Sequence, residues 1–141
     1  MNLINKTISL MKNFFSKYKF IFFIFNFVLI FFYLFPGSIL GWIIYNDPSS
    51  QPQITRNFIV SSNHVYAFLI LSIIGFLTYK NATNKIKLFI YLIILSVVLE
   101  IFHFFIPERS FEFSDLFGNL LGVLIMVIIN QLIKKYENYK N

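Results

Sequence analysis

The run LFGNLLGVLIMVIINQLI, from Leu116 to Ile133, decides the fold. It carries no charge, and its length is close to what a bilayer demands. A helix rises about 1.5 Å per residue, so about 20 apolar residues cross a hydrocarbon core of about 30 Å. Three further runs of this kind precede it, from about Phe20 to Trp42, from about His64 to Tyr79, and from about Ile86 to Ile106. The second is short, and its helix is expected to begin a few residues earlier. Pro36-Gly37 lies in the outer part of the first run and predicts a kink or an end there. The third is expected to stop before Pro107, because the residue preceding a proline is pushed out of the helical region. The connections are short, from Tyr45 to Asn63, Lys80 to Lys85 and Pro107 to Asp115. Such loops suit antiparallel neighbours in a bundle. The expectation is therefore an all-α integral membrane bundle of four transmembrane helices over residues 20–134.

Composition agrees. Of 141 residues, 57% are hydrophobic, 21% aromatic and 13% charged, where a soluble domain carries about 25% charge. The chain has no cysteine, which excludes disulfides, thiolate metal sites and a cysteine nucleophile. A signal peptide is not expected, because the first run is too long and no small-residue cleavage site follows it.

The charges separate by loop. Lys6, Lys12, Lys17 and Lys19 precede the first run, Lys80, Lys85 and Lys87 follow the second, and Lys134, Lys135 and Lys140 follow the fourth. The alternate side has only Arg56 and Arg109, with Asp47, Glu108, Glu112 and Asp115. The positive-inside rule then predicts a multi-pass membrane protein with both termini in the cytoplasm. Topology accounts for the net charge of +6, and no nucleic-acid partner is expected. Within residues 1–19, Ile4, Ile8, Met11, Phe15 and Tyr18 recur at helical spacing with lysines opposite. That is the pattern of a cationic amphipathic helix resting on anionic headgroups. Residues 135–141 read as a short cytoplasmic tail.

Chemistry gathers toward the acidic side. Glu100 is the single acid well inside an apolar run, and Ser96 and His103 share its helix face. A carboxylate at that depth needs a partner; Arg109, His64 and His103 are the candidates. On the fourth run Asp115, Gly118, Asn119, Gly122 and Met126 fall on one stripe, with Ser114 a possible N-cap. Gly118 and Gly122 form a small-xxx-small pair that admits a close neighbour. His64, Ala67, Leu71, Gly75 and Thr78 form a comparable stripe on the second run. Asn26, Tyr33 and Asn130 read as isolated polar residues, so no polar path crosses the bundle and a transporter is disfavoured.

These residues carry a resemblance. Glu100-x-x-His103, then Ile106-Pro107-Glu108-Arg109, then Asp115-x-x-x-Asn119-x-x-Gly122 resemble the signature of VanZ-like membrane proteins, with an acid and a Gln, P-x-R, and D-x-x-x-N-x-x-G. His64-Val65-Tyr66-Ala67-Phe68 resembles the opening of that family's second helix. The likeness covers about Asn63 to Gly122. It departs at His103, where the family has Gln, and at Val60-Ser61, where it has Asp-Lys. The resemblance implies a cell-envelope role and a link to glycopeptide resistance of the teicoplanin type. It implies no settled reaction.

The first functional expectation is a binding site made by His64, Glu100, His103, Arg109, Asp115 and Asn119. It would take a membrane lipid or a lipid-linked envelope precursor, with Arg109 and the start of the fourth helix holding a phosphate or carboxylate. A membrane enzyme is the alternative, with Glu100 and His103 as base and acid, and Ser110 and Ser114 as candidate nucleophiles. A structural subunit packing through its glycines against a membrane-protein partner or a second copy is the other. No cofactor is expected. Glu-x-x-His occurs in di-iron bundles, but those use two such motifs with further carboxylates, so this one motif assigns no metal.

Overall fold

A computed structural model describes residues 3–56 and 59–139, with the side chains of Ile4 and Asn5 left out of that description. Lys140, counted above with the lysines, lies outside these residues. Every regular element among them is helical: α1 Leu3–Lys17, α2 Phe20–Leu34, α3 Ile39–Tyr45, α4 Ser62–Thr78, α5 Ala82–Phe102 and α6 Phe113–Tyr139.

Local chemistry sets the boundaries. Pro36 ends the first apolar run: Phe35 before it turns extended (φ −72°, ψ 134°) and α2 stops at Leu34. Gly37 follows at φ +69°, a conformation L side chains rarely adopt, and a Cβ there would meet the Pro48 carbonyl oxygen at 2.8 Å. The chain then restarts as α3. Ser38 caps it by accepting from the Gly41 N–H at 3.0 Å, and Asn46 closes it in the left-handed region. Of the kink or end expected at Pro36-Gly37 the structure has the end, and the first run is two helices.

α4 begins at Ser62, two residues before His64. α5 ends at Phe102, four residues short of the expected Ile106. Beyond it the chain tightens, and the N–H groups of His103, Phe104 and Phe105 bond carbonyls three residues back. Ser114 is not an N-cap, because α6 starts one residue earlier and the Glu112 carbonyl accepts from Asp115 and Leu116. α6 also runs past Ile133 to Tyr139, so most of the expected tail is helical.

By length and composition, α6 is the one described helix long and apolar enough to cross a membrane. Lys6–Lys17 and Phe20–Leu34 meet the same test only as a pair, and they are bent by 77°. α4 is apolar but shorter.

α4 is the central helix. α6 lies along it most closely, and α1, α2 and α5 pack around it. The closeness to α6 follows from glycine. A Cβ on Gly118 would lie 2.7 Å from the Ser61 carbonyl oxygen, and one on Gly122 would lie 2.5 Å from that of Val65. The glycine face is therefore covered from within the chain, by α4. Phe68, Leu71, Leu92, Leu99 and Val123 form the centre of the core.

Polarity is inverted relative to a water-soluble bundle. Ser72, Ser96, Glu100, His103 and Asn119 are buried. The outward faces carry Phe20, Phe23, Phe27 and Phe31 on α2, Ile86, Ile90 and Ile94 on α5, and Phe117, Leu121, Leu124, Ile128 and Leu132 on α6. Phe27 is 70% exposed.

Polar residues that read as isolated have partners on other helices. Tyr91 donates to Asn26 (2.8 Å), and Lys85 donates to Asn130 (2.8 Å). Ile8 and Phe15 of α1 and Tyr18 just beyond it are half-buried, Phe15 against the core, while Leu3, Leu10, Met11 and Phe14 are exposed. Lys12 pairs with Glu137 of α6 at 3.7 Å, and Lys80 donates to Asn13 at 2.8 Å. The α4–α5 turn, α1 and the end of α6 thus share one end of the molecule.

Candidate functional site

Four helices and one loop bring the candidate residues together at the opposite end. His64 lies in the first turn of α4, Glu100 in the last turn of α5 with His103 just beyond it, and Asp115 and Asn119 in the first two turns of α6. The residue that joins them is Tyr33 of α2, which read as an isolated polar residue in the sequence. Its hydroxyl donates to Asn119 Oδ1 at 2.6 Å.

That bond fixes the rest of the network. A phenol has one proton to give, and Tyr33 gives it to Asn119. His64 Nδ1 lies 3.1 Å from the Tyr33 hydroxyl oxygen and 3.1 Å from Asn119 Oδ1. Both are then acceptors, so Nδ1 is the donor. Nε2 of the same ring faces Asp115 Oδ2 at 3.2 Å. The other histidine repeats the arrangement. His103 Nε2 donates to the Tyr33 main-chain oxygen at 3.1 Å, and its Nδ1 faces Glu100 Oε1 at 3.3 Å. Tyr33 therefore orients both of the chain's histidines, one through its side chain and one through its backbone. Each ring turns its remaining nitrogen to a carboxylate.

Glu100 is 0% exposed. Its Oε1 also accepts from the Glu112 N–H at 2.9 Å, which ties the end of α5 to the start of α6. Its Oε2 is buried without a hydrogen-bond partner, as is Asn119 Nδ2. Asp115 bonds the Ser61 side chain and receives the Ser114 hydroxyl at 3.3 Å. One ligand atom each of His64, Glu100 and Asp115 lies within 4.8 Å of the others, a grouping of the kind that holds metal ions. The sequence offered His64 and His103 among the partners of Glu100, and His103 lies 3.3 Å from its Oε1. The trio needs three helices to meet, and no spacing within one helix reveals it.

Arg109 does not pair with Glu100. Its Nε donates to the Phe35 carbonyl at 3.3 Å and its NH2 group to the Phe32 carbonyl at 3.2 Å. Because Pro36 ends α2, these carbonyls lack helical partners, and a cation at a helix C-terminus also suits the dipole. Burial pushes the Arg109 guanidinium down from its ordinary value, while Asp115, Tyr33 and Glu100 pull it back up. It stays charged.

Beside this cluster runs an open groove of about 540 Å³ between α2, α3 and α4. Drug-sized ligands occupy pockets of about 300–1,000 Å³. Phe25, Val28, Phe32, Leu40, Ala67 and Ile70 line its length, and Tyr33, Asn63, His64 and Arg109 lie at its polar part. Of the six candidate residues, His64 and Arg109 line the groove; Glu100, His103, Asp115 and Asn119 do not.

No family model, curated protein or solved structure matches the chain.

Proposed function

We propose that this chain is a VanZ-like, four-span protein of the bacterial cytoplasmic membrane that binds an envelope lipid or lipid-linked precursor. The apolar chain lies in the α2–α4 groove and the polar head meets Tyr33, His64 and Arg109. One observation carries the reading: the groove is apolar along its length and joins a cluster of a cation, an imidazole and an amide. An amphiphile matches that profile, and a fully polar ligand would leave the phenylalanines facing water.

The inverted polarity supports the membrane setting. Apolar outward faces on α2, α5 and α6 suit lipid, and buried polar groups with partners suit the interior of a bundle. On this reading α2–α3 and α4–α6 supply the four spans. The lysines gathered at the end of α1 and α6 lie in the cytoplasm, and the groove's polar part faces the outer leaflet. Arg109 has two donors spent on carbonyls, and its charge remains available to a phosphate.

The test is mass spectrometry of lipids that co-purify with the wild type, with Arg109→Ala and with Ala67→Phe. The second variant narrows the groove without touching the polar cluster. A specific polyprenyl or anionic lipid in the wild type, depleted in both variants, is the expected result. Bulk membrane lipid in all three samples refutes the proposal.

A further inference from the structure

We propose that His64, Asp115 and Glu100 form a binding site for a divalent transition-metal cation of the Zn²⁺ type. The site shares His64 with the lipid groove but does not rest on the lipid reading, and its test uses no lipid.

His64 Nδ1 is committed as a donor to Tyr33 and Asn119, so Nε2 is the nitrogen free to ligate. It faces Asp115 Oδ2 at 3.2 Å, about the edge that two ligands at about 2.0–2.2 Å span on a tetrahedral metal. A lone pair and a carboxylate at that distance need a positive charge between them, a proton or a metal. Glu100 adds a second carboxylate within 4.8 Å of both. No Lys or Arg side chain among the described residues pairs with either acid, because Arg109 is spent on the carbonyls of Phe35 and Phe32.

The second, independent observation is Glu100 itself. It is completely buried, and its Oε2 has no hydrogen-bond partner. A fully buried carboxylate oxygen left unpartnered is costly in any protein interior. A cation held jointly with His64 and Asp115 supplies the missing partner.

The surroundings are those of a ligand set. Asn119 and Tyr33 hold the non-ligating nitrogen of His64, as outer partners do for metal-bound histidines. The Glu112 N–H holds Glu100 Oε1 at 2.9 Å, and His103 Nδ1 lies 3.3 Å from the same oxygen. One imidazole and two carboxylates is a mixed set suited to Zn²⁺ and its neighbours, with a fourth position left for water or substrate. Asp115 keeps 16% of its side chain exposed, which gives a cation its way in.

The experiment uses the full chain in detergent, freed of any tag and stripped with chelator. The chain has two histidines, both in this cluster, and no cysteine, so no other imidazole or thiolate site competes. Zn²⁺ is titrated calorimetrically into the wild type, Asp115→Asn, Glu100→Gln and Asn119→Ala. Saturable binding of one ion is expected in the wild type. Asn119→Ala, which releases the His64 ring, should weaken it by about 10–100-fold, and the two ligand variants by more. Co²⁺ added to the wild type alone should give intense visible bands of a low-symmetry nitrogen–oxygen site, which decides the matter even if a variant fails to fold. Absence of saturable Zn²⁺ binding, a Co²⁺ spectrum like the aqueous ion, or equal Zn²⁺ affinity in wild type, Asp115→Asn and Glu100→Gln overturns the proposal and leaves a proton shared between His64 and Asp115.

Discussion

Gly122→Ala tests how the two central helices meet. The added methyl would lie 2.5 Å from the Val65 carbonyl oxygen and 2.8 Å from the Leu69 amide nitrogen. Ordinary contact begins near 3.4 Å, so α6 must retreat by about 0.9 Å from that oxygen. Both atoms belong to the α4 backbone and cannot rotate aside as a side chain would. Overpacking of this kind costs about 1–3 kcal/mol. The same retreat, added to the 3.1 Å between His64 Nδ1 and Asn119 Oδ1, carries that contact beyond hydrogen-bonding range and costs about 1 kcal/mol more. The total, about 2–4 kcal/mol, corresponds to a fall in Tm of roughly 8–16 °C at about 4 °C per kcal/mol. Heating the detergent-purified protein and following loss of its monodisperse chromatographic peak measures the shift. Gly118→Ala should cost less, because its nearest neighbour is the Ser61 carbonyl oxygen at 2.7 Å, at the very start of α4. The double variant should fall short of the sum, since α6 retreats once for both methyls. Wild-type stability in Gly122→Ala would refute the close α4–α6 approach and the packing role given to this glycine.

The remaining predictions use the same unfolding measurement unless stated. Asn119→Ala removes the acceptor of the buried Tyr33 hydroxyl and one of the two acceptors of His64 Nδ1, and should cost about 1–3 kcal/mol. Tyr33→Phe removes one hydroxyl and leaves the His64–Asn119 bond, so it should cost about 1 kcal/mol; a larger loss than in Asn119→Ala would reverse the order argued here. Ser38→Ala deletes the cap of α3 and should cost about 0.5–2 kcal/mol, with hydrogen exchange accelerated at Gly41 and unchanged in α5. The hydroxyl and N–H of Ser49 hold the exposed Asp47 carboxyl below its ordinary value. The turn they form should be fully kept above the ordinary carboxylate range and lost as pH falls through the lowered value; exchange at Ser49 that is insensitive to acid would contradict this.

Much of the helical layout was legible because apolar runs and prolines dominate it. Leu116 to Ile133 reads as one helix without charge, and Pro36 must interrupt whatever precedes it. The faces were legible too, since Gly118, Asn119 and Gly122 share a stripe by spacing alone. What escaped was whatever depends on a distant helix end. Tyr33 sits among phenylalanines and leucines, with no polar neighbour on its own helix to mark it. Its importance appears only when α4 and α6 bring His64 and Asn119 to it. Arg109 reads as a partner for Glu100 until Pro36 is seen to strand the Phe32 and Phe35 carbonyls within its reach.

These misses share one cause, and it bears on function. A polar group on an apolar helix is costly alone, so its meaning lies in the partner, which sequence spacing within one helix cannot supply. Tyr33 shows the consequence. Its hydroxyl sets one histidine and its carbonyl sets the other, so both imidazoles turn their remaining nitrogens toward acids. A change that moves α2, at Pro36 or Gly37, should therefore disturb His64 and His103 together. A change on α6 at Asn119 should disturb His64 and leave the His103–Glu100 contact in place. The two histidine environments can thus be uncoupled from the α6 side but not from the α2 side. That asymmetry places the control of the site in the helix whose sequence looks least like chemistry.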